Sequence, residues 1–295
     1  MKTALIIPIY NQSKYFLRLV SAIESMSELP DIVYPTLDRN SREDYKIIKE
    51  ICDNKNLKCQ YKVLDLTNIP EYIGKPTNNP DQDLFLTGDR RNQAVEIAIQ
   101  DGCDIFVFID GDCIPEADLI KAHKRVNSYG LANLSIGRRK EEKHKWRDQR
   151  ELDPKIATLK LFSRINEFVI QNPELLYSAS IVWSCNIGMN LKSVNQLKKL
   201  NEYYYGKSEV FNSEFLGAWG GEDCFLGIQA YTAKVFITII NDELSGIRHI
   251  DHPRPIDKYH VSAWTDHLAE QVEYFNLLQS NKPLPLIFFN VQNIS

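Results

Sequence analysis

The chain reads as an α/β protein built on a doubly wound sheet, and three observations predict it. Ala4-Leu5-Ile6-Ile7 and Phe106-Val107-Phe108-Ile109 are short, unalternating apolar runs, as expected of strands buried on both faces in a parallel sheet. Between and after them run amphipathic helical stretches, giving the order βαβαβ, a long loop, then αβ. Polar clusters stand where predicted strands end or helices begin: Asp38, Asp110/Asp112, Glu222/Asp223 and His249/His252. In an open α/β sheet, ligands bind outside the carboxyl ends of the strands.

The first strand, residues 4–7, stops at Pro8-Ile9-Tyr10-Asn11-Gln12. Tyr15, Phe16, Leu19, Val20, Ile23 and Met26 then recur at helical spacing, so a helix is expected over about 13–27, capped by Asn11 or Ser13. A second strand spans 31–38 and ends in Asp38; Pro35 inside it suggests an edge or a bulge. A surface helix follows over 42–55, with Ile47, Ile48 and Ile51 on one face, and a third strand covers Gln60–Leu66. Residues 67–89 are rich in Pro, Gly and Asn, a connection long enough to expect a functional loop. A helix from Asp89 leads into the central strand 106–109, where Asp110-Gly111-Asp112-Cys113-Ile114-Pro115 ends the apolar run.

Further along, a helix is expected at 117–128 and a strand at 132–137. The charged run Arg138–Arg150 reads either as a solvated helical face or as a phosphate- or acceptor-contacting lobe. An amphipathic helix covers 155–171, a strand-like segment 181–190 and a helix 193–200, followed by a tyrosine-rich loop at 203–206. Leu216–Asp223 leads into an apolar helix through 233; then come strand 235–240, the segment Gly246–Pro255, and a last amphipathic helix over 259–279. No internal repeat and no linker divides the chain, so residues 1–295 are expected to form a single domain. Its nucleotide-binding half would be 1–115, and its acceptor-binding half, closed by the C-terminal helix, 116–295.

Composition narrows the class. The formal net charge of −4 argues against general nucleic-acid binding. Six cysteines without a CxxC pair argue against a disulfide framework or a zinc site and suit reduced thiols in the cytoplasm. No apolar run approaches the roughly 20 residues that span a bilayer, and Pro8 cuts the first run far short of a signal segment. Peripheral contact with the inner face of a membrane, through the Pro283–Phe289 tail, stays open, as does oligomeric state.

Asp110-Gly111-Asp112 concentrates two acids that need compensation by a cation or by donors. Hard carboxylate oxygens suit a divalent metal, and Gly111 would let a phosphate approach the backbone. The bland reading is an Asp-Gly turn in a hairpin. The other clusters tilt this choice. Pro8-Ile9-Tyr10-Asn11, Arg91-Asn92, Asp110-Gly111-Asp112, Ser184–Asn190, Trp219-Gly220-Gly221-Glu222-Asp223 and Gly246-Ile247-Arg248-His249 occur in an order and spacing that covers residues 4–255. In this the chain resembles family-2-type glycosyltransferases of the GT-A fold, especially the branch of the animal β-1,4-galactosyltransferases and the galactosaminyl-transferring domains of chondroitin-type polymerases.

The resemblance implies a Rossmann-like doubly wound mixed sheet flanked by helices. It implies a metal-dependent, inverting transfer of galactose or N-acetylgalactosamine from a UDP-sugar to a saccharide or glycoconjugate acceptor, with Mn²⁺ or Mg²⁺ as cofactor. Asp112 would ligate the metal, with Asp110 nearer the ribose or bound through water. His249 would supply an imidazole, favoured over His252 by motif position; such a mixed donor set suits Mn²⁺ better than Mg²⁺. Pro8, Tyr10 and Asp38 would form the uracil and ribose pocket. Here the chain departs from its relatives, which carry Asp-Asp-Gly-Ser where it has Thr36-Leu37-Asp38-Arg39-Asn40-Ser41. Arg91 is expected near the diphosphate or as a partner of the Asp-Gly-Asp loop, and Arg254 and Lys258 near phosphate. Trp219 would stack on a pyranose ring, Gly220 and Gly221 would leave room for the sugars, and Glu222 would hydrogen-bond the acceptor. Asp223 would be the general base; related retaining enzymes carry Asn there. The competing readings are an inactive carbohydrate- or nucleotide-binding protein of the same fold, a retaining transferase, and a sugar nucleotidyltransferase. The last would want a glycine-rich phosphate loop where Pro8-Ile9-Tyr10-Asn11 stands.

Overall fold

Strands β1 (Thr3–Ile9) and β5 (Ile105–Ile109) lie side by side and parallel at the centre of a computed structural model that describes residues 1–9, 12–37, 42–65, 87–141, 182–213, 222–250, 271 and 273–282. Both are buried throughout, and the period-two alternation of a strand divides their side chains between two cores. Leu5, Ile7, Ile105, Val107 and Ile109 point to one face; Ala4, Ile6, Phe106 and Phe108 point to the other. Each buried large apolar side chain contributes on the order of 1.5–3 kcal/mol. The absence of polar alternation in the sequence is thus explained by helices on both sides.

The remaining elements are α1 (Ser13–Ile23), β2 (Ile32–Leu37), α2 (Arg42–Cys52), β3 (Gln60–Tyr61), β4 (Leu64–Asp65), α3 (Thr87–Gln100), β6 (Cys113–Pro115), α4 (Leu119–Asn127), β7 (Asn133–Ile136), β8 (Arg139–Glu141), β9 (Asn186–Asn190), α5 (Leu191–Tyr205), α6 (Glu222–Thr232), β10 (Phe236–Ile239) and β11 (Ile247–His249). Residues 271 and 273–281 are helical as well. The main sheet runs β10-β7-β9-β5-β1-β2-β3, with β4 also beside β2. Its pairs are parallel except those of β9, which is antiparallel to β5 and β7. The chain leaves β1 toward β2 and returns on the other side at β5, so strand order reverses between β1 and β5. That is the topological switch point where a crevice opens. A small second sheet, β6-β11-β8, stands beside this end.

Several expectations are corrected. Pro35 is neither at an edge nor on a bulge: β2 is fully buried between β1 and the β3/β4 pair. Val33 accepts from Lys62 N at 2.9 Å, so Pro35, two residues on, turns its N-H-less nitrogen the same way, toward the gap between β3 and β4. The expected single strand 60–66 is accordingly two short pieces. Helix α1 has Gln12 at its N-cap without a side-chain capping hydrogen bond, and Ser13 is its first helical residue, with its hydroxyl donating to Asp44; Asn11 lies outside the described residues. Residues 139–141 of the charged run form strand β8, not a helical face, because β11 pairs with them. Tyr203, Tyr204 and Tyr205 belong to helix α5, which ends at Gly206 with φ 71°. They are not a loop because Tyr204 and Tyr205 pack on Phe275 of the C-terminal helical segment, with ring centroids 5.1 and 6.3 Å apart. The long connection 67–86, the helix 155–171, the rest of the charged run and residues 259–270 lie outside the described residues.

Strand β9 is anchored by a buried polar network. Asn186 donates through Nδ2 to the Arg138 carbonyl (2.9 Å) and faces His123 Nε2 with Oδ1 at 2.8 Å; His123 Nδ1 lies 2.7 Å from Ser135 Oγ. Since Oδ1 can only accept, His123 carries its proton on Nε2. Gly188 leaves room for the imidazole, whose Nδ1 would stand 2.6 Å from a Cβ at that position. Burial pushes the His123 pKa down to about 4, outweighing the Asn186 hydrogen bond. As pH falls, the unfolded chain takes up the proton first. This stabilisation is therefore complete above about 6.5 and is lost as pH falls toward about 4. Urea denaturation should give an unfolding free energy lower by about 2 kcal/mol at pH 5 than at pH 7.5 from this residue. His123→Gln should remove that part of the dependence; an unchanged pH slope in that variant would contradict the assignment.

Candidate active site

The end of β5 presents Asp110, Gly111 and Asp112 at the crevice, immediately before the chain enters β6. β6 pairs with β11 and not with β5, so the Asp-Gly dipeptide does not close a hairpin. Gly111 is where the chain packs closely. A Cβ there would stand 3.1 Å from the Pro8 carbonyl oxygen and collide with the Gln12 side chain. The ends of β1 and β5 therefore touch at this glycine.

The two carboxylates are held by different partners. Asp110 Oδ1 receives Arg91 Nη2 at 2.7 Å, and the same guanidinium reaches Glu222 Oε1 through Nη1 at 3.3 Å. Arg91, on α3, is 1% exposed and lies 5.4 Å from the Phe211 ring centroid. The neighbouring Asn92 holds residues 210–211 by donating to the Phe211 carbonyl (2.7 Å) and accepting from Val210 N (3.0 Å) and Phe211 N (2.9 Å). Phe211 in turn meets Phe108 of β5 edge to face at 5.4 Å. Arg91 is thus the structural partner of the Asp-Gly-Asp loop that the sequence allowed for, and also a bridge to α6.

Asp112 has a second set of contacts. Gln12 Nε2 donates to its Oδ2 at 3.0 Å, and the Cys113 thiol approaches Oδ1 at 3.5 Å. His249 Nε2 lies 3.5 Å from Oδ2. The small sheet sets this approach: His249 pairs with Cys113 across β6 and β11, and Ile250 N donates to the Asp112 carbonyl at 2.8 Å. A separation of 3.5 Å is long for a hydrogen bond but matches the roughly 3.0–3.5 Å between neighbouring donors on one first-row divalent cation. Ligand atoms of Asp110, Asp112 and Cys113 also lie within 4.8 Å of one another. The donor set, carboxylate oxygens beside an imidazole, fits a divalent cation such as Mn²⁺.

Glu222 and Asp223 open helix α6, where acidic side chains are favoured by the helix dipole. Burial and then the Asp223 charge raise the Glu222 pKa to about 7, against the pull of Arg91. Glu222 Oε2 is buried and receives no hydrogen bond. Asp223 is more open; its Oδ1 accepts from Cys224 N (2.8 Å) and its Oδ2 from Ser184 N (3.4 Å). Desolvation also raises Asp110, Arg91 opposes it and Asp112 adds to it; the side chain keeps 36% of its exposure, so solvent moderates that shift.

Seven sequence-derived site residues are therefore described. Pro8, Arg91, Asp110, Asp112 and His249 gather around the ends of β1 and β5, with Glu222 joined through Arg91 and Asp223 beside it. Tyr10, Asp38, Trp219, Gly220, Gly221 and His252 lie outside the described residues. Gln12 and Phe211 went unassigned at the sequence level. Gln12 stood in the loop after β1, but nothing in a local pattern says which side chain of that loop turns toward a carboxylate a hundred residues away.

No family model matches the chain, and no curated protein matches it significantly. Solved structures do. The S. aureus TarS 1-349 structure in complex with UDP-GlcNAc aligns with a TM-score of 0.56 at 16% identity, over 97% of this chain and 68% of that one. Glucosyl-3-phosphoglycerate synthase from Mycobacterium tuberculosis, in complex with Mn²⁺, UDP and glucosyl-3-phosphoglycerate, aligns with a TM-score of 0.54 at 14% identity, over 96% and 81%. The same synthase with Mg²⁺ and UDP aligns at 0.54 and 15% identity, over 96% and 80%. The fold is that of GT-A glycosyltransferases.

Removing Arg91 leaves two acids without their cation. Arg91→Met should destabilise the protein by about 3–5 kcal/mol. The loss should be larger at pH 8 than at pH 5.5. Without the guanidinium the folded pKa values of Asp110 and Glu222 move further above their unfolded values, and stability falls as pH rises through that window. Denaturant unfolding at the two pH values checks both size and sign.

Proposed function

We propose that this protein is a metal-dependent, inverting glycosyltransferase that moves a hexose or N-acetylhexosamine from a UDP-sugar to a hydroxyl of a saccharide or glycoconjugate. The observation that carries the reading is the pairing of a cation-competent Asp112–His249 edge with an acidic helix start, Glu222-Asp223, through the buried Arg91, at the switch point of a GT-A fold. The neighbouring structures named above support the donor class, since they hold UDP-GlcNAc or UDP with Mn²⁺ or Mg²⁺.

Asp112 and His249 would hold the cation, with Asp110 on the ribose side and His252 the alternative imidazole. A divalent cation, when bound, supplies the positive charge that neutralises a diphosphate leaving group. Pro8, Tyr10 and Asp38 would receive the uridine, in the half of the chain up to residue 115. Trp219, Gly220 and Gly221 would face the sugars. Glu222 Oε2, which receives no hydrogen bond, is suited to accept one from an acceptor hydroxyl. Asp223 would take the proton of the attacking hydroxyl: the acceptor oxygen bonds to the anomeric carbon, the bond from that carbon to the diphosphate breaks, and UDP departs with the electron pair. Asp223 is better placed than Glu222 for this, because Arg91 already occupies one oxygen of Glu222 while the Asp223 carboxylate is oriented by two backbone N–H groups and less buried. A donor of the galactose or N-acetylgalactosamine type is the specific choice from the motif order.

A screen of UDP-sugars for UDP release, with and without Mn²⁺, tests this reading. Mn²⁺-dependent release with at least one hexose donor is expected, and removal of metal with EDTA should abolish it. Asp223→Asn should lower turnover by about 10²–10⁴-fold while leaving UDP affinity unchanged. Full turnover in that variant would dismiss Asp223 as the base. Mn²⁺-dependent UDP binding without any transfer would point instead to a binding protein of this fold.

A further inference from the structure

Beyond Arg91, a second arginine reaches the crevice. Arg139 is half-buried at the start of β8, in the charged run 138–150. Parallel pairing sets Arg139 against Ile247, two residues before His249. Strand alternation therefore puts the Arg139 side chain on the same face of the small sheet as the His249 imidazole. Its guanidinium rests on the turn before β9: Nη1 donates to Cys185 Sγ at 3.9 Å, and the guanidinium carbon lies 5.4 Å from the Trp183 ring centroid. A guanidinium is weakly hydrated and stacks on an aromatic face, so Trp183 can fix its direction. The next residue, Ser184, donates its N–H to Asp223. Arg139 is thereby joined to both sides of the candidate site, to the metal edge through the small sheet and to Asp223 through Trp183-Ser184. Burial raises the Asp110 pKa, and Arg91 and then Arg139 pull it back, so the Arg139 charge is felt at the Asp-Gly-Asp loop.

We propose that Arg139, braced on Trp183, binds the diphosphate of the donor and meets the charge of the leaving UDP. The inference rests on the proposed UDP-sugar reading and adds to it a residue in contact with the donor. Arg91 does not fill this role: it is 1% exposed, and its two Nη atoms hold Asp110 and Glu222. A guanidinium carries five N–H donors in a planar fork, so one group can serve protein contacts and a phosphate at once. The diphosphate gains negative charge as its bond to the anomeric carbon breaks, and a cation fixed beforehand needs no reorganisation at that step. Trp183 is then a positioning residue that acts through Arg139.

Binding of UDP to the full chain by calorimetry, and of uridine by ligand-observed NMR, tests this without reference to turnover. Arg139→Met should weaken UDP binding by about 10–100-fold and leave uridine binding unchanged. Arg139→Lys keeps the charge but loses the fork and the stack, so its UDP affinity should lie below wild type and no lower than in Arg139→Met. Trp183→Leu should weaken UDP binding less than Arg139→Met, and should add little to it in the double variant. Mn²⁺ affinity without nucleotide should not fall in Arg139→Met, because removing a positive charge does not weaken attraction for a cation. A merely structural arginine would lower uridine and UDP binding together, or lower Mn²⁺ binding, and either result overturns the inference. So does wild-type UDP affinity in the Arg139 variants. Thermal melts identify any variant that fails to fold, and the remaining members of the series still decide. A wild-type protein that binds neither UDP nor uridine in the presence of Mn²⁺ overturns the UDP-sugar reading itself and the inference with it.

Discussion

A single buried guanidinium ties the candidate site together. Arg91 is almost sealed from solvent and would be costly there without its two carboxylates. Its pairing with Asp110 and Glu222 therefore constrains three elements at once: the end of β5, the first turns of α3 and the start of α6. The aromatic floor beneath it, Phe211 against Phe108, is held by Asn92, the residue beside Arg91. Arg91 and Asn92 thus work as a unit, one side chain pinning acids and the other pinning the segment under them.

Around this clamp the acids are tied to different elements. Asp110 and Glu222 share the Arg91 guanidinium, and Asp112 meets the Gln12 amide, the Cys113 thiol and the His249 imidazole. The small sheet β6-β11-β8 brings the imidazole in, since the Cys113–His249 register leaves His249 next to Asp112. The antiparallel β9 brings the other edge. Asn186 locks it under β7 and α4 through His123, and the turn before it delivers Ser184 N to Asp223. A structural network buried in the core thereby sets the position of a carboxylate at the surface of the crevice.

Much of this was legible in the residues themselves. The unalternating runs at 4–7 and 106–109 could only be satisfied by cover on both faces, and the two cores supply it. Asp110 and Asp112 at a strand's end, and Glu222-Asp223 at a helix start, stand where expected. The errors share a cause. Pro35, Tyr203–Tyr205 and Arg139–Glu141 were read from local preference, and each was decided by a distant partner: the broken neighbour strand, the Phe275 ring and β11. At Gly111 the structure adds a packing constraint, since a Cβ there would meet Gln12 and the Pro8 carbonyl.

By itself, the sequence determined the layered α/β architecture and the identity of the acids and histidine, because strand burial, helical periodicity and residue chemistry are local properties. Only the tertiary structure decided how those groups share charge. Arg91 crosses 131 positions to reach Glu222, and Gln12 crosses 100 positions to reach Asp112. Side-chain pairing at that range depends on which strand ends meet at the switch point, and no spacing along the chain encodes it.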